Sequence, residues 1–214
     1  MKLLSIFVGR PQKVTFKGNE VETGIFKEKV EGSVKVKTLN IEGDEQADLR
    51  VHGGVNKAVY AYPFEHYKFW ENERPDLSFE AGKFGENLSI EGLDEKTVFV
   101  GNEYKIGSVI FKVTAPRMPC HKLGIKMEDP GFVKDFMQAR LSGFYFSVKQ
   151  EGIIEAGDSI ELLKEGENGL TIDETFLAYH SERNNKQLLH KTINTPDLPE
   201  DWIAFFKKRY DALS

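Results

Sequence analysis

The chain has 214 residues, 40% of them apolar, 16 of them Phe and one of them Cys, with a formal charge of -5. This length accommodates one full domain with a small second one, or a single large all-β domain. The acidic balance gives no general reason for nucleic-acid binding. A lone cysteine excludes a disulfide-stapled secreted fold, and no apolar run reaches the roughly 18 residues a membrane-crossing helix needs.

Residues 3–8 are a short apolar run, broken by Ser5 and ended by Gly9-Arg10. They read as a buried first strand rather than a signal segment, so the expected setting is the cytoplasm with no membrane contact. Residues 14–16 and 21–26 flank Lys17-Gly18-Asn19-Glu20, a hairpin turn by composition. Val34, Val36 and Leu39 alternate for most of their length with Lys35, Lys37 and Thr38, as in a half-buried strand, and the polar, acidic stretch 43–48 is a loop.

The next stretch is Asp48-Leu49-Arg50-Val51-His52-Gly53-Gly54-Val55-Asn56-Lys57-Ala58-Val59. Paired glycines permit tight turns and close approach of a ligand. With Arg50, His52 and Lys57 beside them, such a loop suits an anion, phosphate above all. Residues 58–62 form another strand, and Pro63 opens a helix whose Phe64, Tyr67 and Trp70 share one apolar face. Around 80–93 a glycine-rich segment, Phe84-Gly85-Glu86-Asn87-Leu88, leads into a short strand. Asn87 offers donor and acceptor at one point, or it serves turn geometry.

Residues 98–113 read as short strands punctuated by glycine. They run into Ala115-Pro116-Arg117-Met118-Pro119-Cys120-His121-Lys122-Leu123, which holds the single cysteine. Two prolines stiffen this loop. Arg117, His121 and Lys122 surround the sulfur with positive charge, which favours the thiolate that acts as nucleophile or metal ligand. The competing reading is an inert buried thiol acting as a small hydrophobe; the flanking charges favour the first. A short helix over 121–126 follows, then a helix opened by Asp129-Pro130 with Phe132, Val133, Phe136 and Met137 on one face, reaching Arg140. Strands occupy 144–148 and 159–163. Many short strands with few helices between them predict a mainly β fold, an antiparallel barrel or sandwich rather than a βαβ sheet.

Composition changes at 164–170, read as a linker between a β-domain over 1–163 and a three-helix region over 171–214. The first helix starts at Thr171, Ser181 caps the second, and Pro199 starts the third, whose face carries Trp202, Phe205, Phe206 and Leu213 with Arg209 as a polar exception. Three short helices bury little alone, so they are expected to pack on the β-domain or on a second subunit of a homodimer.

Three segments in this order, 48–59, 84–88 and 116–123, together resemble the MOSC domain, a β-barrel domain, and the helical tail resembles that of its YiiM branch. The resemblance implies a molybdopterin-type molybdenum cofactor with Cys120 as thiolate ligand to the metal. It implies an oxidoreductase that reduces small N-hydroxylated compounds such as hydroxylaminopurines by removing the oxygen of an N–O bond. His52, Gly53, Gly54 and Lys57 then suit the anionic end of the pterin. Asn87 is a hydrogen-bonding candidate, Arg117 and Arg140 are candidates for phosphate because arginine presents a rigid fork of donors, and His52 and His121 are candidate proton donors. The chain has no haem-attachment motif, cysteine cluster or dinucleotide fingerprint, so electrons are expected from separate electron-transfer proteins. The alternatives are a cofactor or sulfur carrier with a Cys120 persulfide, a non-catalytic binding barrel, and a cysteine hydrolase pairing Cys120 with His52 or His121.

Overall fold

The apolar strands find one another without closing a barrel. A computed structural model describes residues 1–47 and 53–213. Helix and strand are present in similar amounts, so the fold is mixed rather than mainly β. The strands are β1 (Lys2–Val8), β2 (Gln12–Phe16), β3 (Asn19–Thr23), β4 (Glu28–Val30), β5 (Val34–Lys37), β6 (Asn40–Ile41), β7 (Val59–Pro63), β8 (Leu88–Glu91), β9 (Glu103–Ile106), β10 (Val109–Pro116), β11 (Phe144–Gln150), β12 (Gly152–Ile154) and β13 (Ile160–Lys164). Eight of them form one sheet in the order β13-β9-β10-β11-β7-β8-β1-β4. The sheet curls until Lys2 forms an isolated bridge to Ser159, but no continuous ladder joins its ends.

All neighbours in this sheet are antiparallel except β7 and β8, which run parallel. A parallel pair needs a crossover, and α1 (Glu65–Glu73) supplies it. The expectation of no βαβ unit therefore fails at this one place. The reason lies in the Tyr67 and Trp70 face: it packs against Phe79, Phe84, Phe132 and Phe136 instead of returning a hairpin. Trp70 lies parallel to Phe136 at 6.1 Å between ring centroids, and its indole N–H donates to the Tyr62 hydroxyl at 2.7 Å. Helices α2 (His121–Lys126) and α3 (Phe132–Ala139) join the same aromatic core through Leu123, Met127, Phe132 and Phe136.

Some local expectations shift. The hairpin turns at Lys17-Gly18, both at positive φ, and β3 ends at Thr23, before Gly24. Residues 98–100 are held by turns and a Phe99–Thr171 bridge rather than by a strand. The second C-terminal helix, α5 (Lys186–Ile193), is capped by Asn185, whose side chain accepts from Leu188 N–H at 3.0 Å, and not by Ser181. Helix α4 (Ile172–His180) opens on a capping box between Thr171 and Glu174. In α6 (Glu200–Asp211) the polar exception has a role: the Arg209 guanidinium stacks 4.1 Å from the Phe205 centroid and donates to the carbonyls of Ala178 and Tyr179. Ile172, Ala178, Leu189, Trp202 and Phe206 belong to the same core as the sheet residues. Stretch 164–170 is tied to the sheet through Gly166 N–H, which donates to Asn102 Oδ1 at 2.8 Å.

One lysine fixes α2 against the N-terminal segment. Lys126 Nζ donates to the carbonyls of Ile25, at 2.9 Å, and Gly82, at 2.6 Å. Burial lowers its pKa to about 8, against an opposing pull from Glu86.

Two outcomes follow from this packing. Phe206 is fully buried, so Phe206→Ala should destabilise by about 3–5 kcal/mol in urea denaturation; a loss below about 1 kcal/mol would mean the last helix is not part of the core. An unfolded lysine keeps its proton up to 10.5, whereas folded Lys126 keeps it only to about 8. Between these values the unfolded chain binds more protons, so this group makes the protein more stable as pH rises. The difference in unfolding free energy between wild type and Lys126→Met should move in favour of wild type from pH 8 to 10; a flat difference contradicts the burial.

Candidate functional site

The site lies where β10 leaves the sheet. Thr114 on that strand donates its hydroxyl to the Asn56 carbonyl at 2.7 Å, which pins the 3-10 turn Val55–Lys57 beside it. Pro116 pairs with Phe144 at the end of the ladder. The chain then has no further sheet partner through Arg117 to Pro119 and turns into α2, with Cys120 as its N-cap residue in extended conformation.

Lys57, Asn87, Arg117 and Cys120 line one cleft of about 670 Å³, measured out to its open mouth. Segments that sequence had scattered across three motifs thus meet at one place. Thr23, Gly24, Ile25 and Lys27, with Glu45, Gln46 and Ala47, line it as well, and so do Tyr60, Tyr145 and Met118. Gly85 also lines it at φ +76; an added Cβ there would stand 2.5 Å from the Ile25 side chain, so the wall depends on glycine.

Arg117 is the most constrained of these residues. It is 6% exposed, with its guanidinium carbon 5.0 Å from the Tyr60 ring centroid and 5.4 Å from that of Phe136. Its Nη1 is buried and has no hydrogen-bond acceptor among the described residues. Arginine does not surrender its proton in proteins, so the cleft lining includes a buried cation whose Nη1 has no acceptor among the described residues. Tyr60 donates its hydroxyl to the Ser142 carbonyl at 2.8 Å. Burial pushes the phenols of Tyr60 and Tyr145 up, with Arg117 pulling the other way, so both stay neutral at ordinary pH.

Lys27 is 7% exposed in its side chain and forms an ion pair with Asp44, itself 1% exposed. Asp44 Oδ1 also accepts Gly9 N–H at 2.9 Å, while its Oδ2 has no partner among the described residues. Burial lowers the Lys27 pKa, and Asp44 opposes that.

Several expected site residues stand elsewhere. Arg140 ends α3 in a left-handed conformation, φ 59, with Nη1 3.4 Å from Asp173 Oδ1. It lines a separate cleft with His66, Glu95 and Asp173 and takes no part in the Cys120 cleft. His121 is exposed and absent from the cleft lining. Gly53 and Gly54 are not among the lining residues either; Gly54, at φ 89, turns the chain into Val55. His52, with Arg50, lies outside the described residues.

Asn87 reaches the cleft, but its amide is engaged. Oδ1 accepts Tyr60 N–H at 3.1 Å and Nδ2 donates to the Phe7 carbonyl at 3.2 Å. Sequence reading missed Lys27, Tyr60 and Tyr145. Lys27 followed a stretch taken as hairpin strand, and the tyrosines sat inside strands, where alternation gives no sign of a cleft.

Residues 48–161, over half of the chain, match the MOSC domain. Protein YiiM of Escherichia coli (strain K12) is 32% identical over 189 residues, 87% of this chain and 84% of that protein. The crystal structure of YiiM from Geobacillus stearothermophilus matches at a TM-score of 0.82 and 36% identity, covering 98% of each chain. A protein named Reductase in Gibberella moniliformis is 34% identical over 166 residues, 76% of this chain but 29% of its own length. The matched segment begins with the 48–59 motif, runs through the cysteine loop and carries most of the cleft, and the whole fold is shared with YiiM: the chain belongs to the MOSC domain family, beside YiiM.

Proposed function

We propose that this protein is a molybdenum-cofactor-dependent oxidoreductase that reduces small N-hydroxylated compounds, with Cys120 as the protein ligand to the metal. The observation that carries the reading is the buried Arg117 Nη1, which lacks an acceptor among the described residues and lines the same cleft as the only cysteine of the chain. Such an orphaned donor is satisfied by an anionic oxygen from a bound group. Lys57 and Lys122 add positive charge around the same cleft, and a thiolate is a soft ligand suited to a transition-metal centre. This donor set fits an anionic pterin cofactor carrying a metal. The family and the relative named Reductase support an oxidoreductase role.

When bound, the cofactor supplies the two-electron chemistry, and the protein binds, orients and tunes it. Arg117 and Lys57 hold the anionic end, with the Arg117 plane set by Tyr60 and Phe136. Asn87 acts one layer behind, holding Tyr60 in place through its backbone. Arg140 and His121 have no contact role in this reading. Met118 and Tyr145 offer an apolar and phenolic surface against which a planar N-hydroxylated base would lie. The overall conversion of R–NHOH to R–NH2 and water consumes two electrons and two protons, and the electrons come from separate redox proteins.

Expression in a cofactor-competent host tests this. Wild type should copurify with molybdenum and pterin and reduce 6-hydroxylaminopurine with a chemical or protein electron donor. Cys120→Ala should lose stable molybdenum and at least 100-fold of the turnover, since loss of even an outer-shell partner of a metal ligand costs about 10–100-fold. Full metal content with undiminished turnover in Cys120→Ala would overturn the assignment.

A further inference from the structure

The cleft contains a buried ion pair that cofactor binding does not use. We propose that Lys27, held by Asp44, is the group of this chain that delivers a proton to the substrate nitrogen as its N–O bond breaks. The inference rests on the N-hydroxy-reductase reading and names the residue that carries the proton in it.

Geometry selects Lys27. Cleavage of R–NHOH consumes two electrons and two protons and releases R–NH2 and water. The electrons come from the two-electron metal cofactor; one proton must reach nitrogen and the other ends in water. The donor must stand in the cleft, be shielded from competing solvent, and be recharged. His121 is exposed and outside the lining. Tyr60 already donates its hydroxyl to the Ser142 carbonyl. Lys27 lines the cleft, and its side chain is 7% exposed. Asp44 fixes the ammonium from behind, and is fixed in turn by Gly9 N–H at 2.9 Å.

Asp44 also favours the recharged state. Asp44 Oδ2 is buried and without a partner among the described residues, so it has the capacity to accept a further donor. Residues 45–47, which follow Asp44, form the cleft wall itself. After the transfer, neutral Lys27 takes a proton from solvent with Asp44 stabilising the restored cation. The other charged groups acting on this pair are Glu86, which favours the cation, and Lys126, which opposes it. Burial lowers the Lys27 pKa, which makes the ammonium a better acid than a surface lysine.

Arginine separates this role from simple anion binding, because it keeps the charge but does not release a proton. Lys27→Arg, purified from the cofactor-competent host, should contain molybdenum and pterin at the wild-type level and melt near wild type, yet lose at least 100-fold in kcat. Lys27→Ala should show the same loss and recover at least 10-fold with added ethylamine, more at higher amine concentration. Wild-type kcat in Lys27→Arg overturns the proposal. So does loss of cofactor in Lys27→Ala that Lys27→Arg restores together with activity, which would make Lys27 an anion contact, and so does absence of amine rescue in a folded, cofactor-loaded Lys27→Ala. If wild type itself does not reduce N-hydroxylated compounds while holding molybdenum, the function reading fails; if wild type is active and these variants behave otherwise, only the Lys27 assignment fails.

Discussion

The cleft depends on how two buried polar residues, Glu86 and Asn87, satisfy themselves. Asn87 exchanges backbone hydrogen bonds on both sides, from its own N–H to the Tyr60 carbonyl at 2.8 Å and from Phe7 N–H to its carbonyl at 2.7 Å. Its side chain repeats both connections, so β1 and β7 are sewn together at one residue. Glu86 is fully buried and accepts from Gly82 N–H, Phe84 N–H, the Ser89 hydroxyl and the Tyr67 hydroxyl. A buried carboxylate is tolerable only when so surrounded. Together the two residues fix the parallel β7–β8 pair, the crossover helix above it and the position of Tyr60 beneath Arg117.

Positive charge is concentrated in one cleft of an acidic protein. Net charge sets solubility, but a cleft with low-dielectric walls responds to the charges that line it. Tyr60 and Phe136 flank the Arg117 cation and keep water from its faces. Such a cation attracts an anion more strongly than a surface arginine does. The Lys27–Asp44 pair is different in kind: its charge is already balanced, which suits a group that exchanges a proton more than one that holds a phosphate.

Much of this was legible in the sequence where a single residue type carries a single meaning. The lone Cys120 between prolines and cations pointed to the cleft, and the 121–126 helix and its 132–139 neighbour follow from apolar spacing. The convergence of Lys57, Asn87, Arg117 and Cys120 followed from recognising the three motifs together. What stayed hidden was relational. No periodicity shows that β7 and β8 are parallel, because that choice is made by an aromatic core assembled from residues as far apart as Tyr60 and Phe136. Barrel closure was expected from strand count, whereas the order of the strands leaves β13 and β4 at separate ends. Arg140 was assigned by residue type, yet its position at a left-handed helix end directs it to Asp173. Asn87, a candidate cofactor contact, lines the cleft while its side chain also holds the backbone of Tyr60 and Phe7.

X-ray absorption at the molybdenum edge of the purified holoprotein tests the central claim most directly. With Cys120 as ligand, wild type has one more sulfur neighbour around the metal than Cys120→Ser, in which an oxygen or nitrogen takes that place. Equal sulfur coordination in the two proteins, at equal molybdenum content, would contradict it.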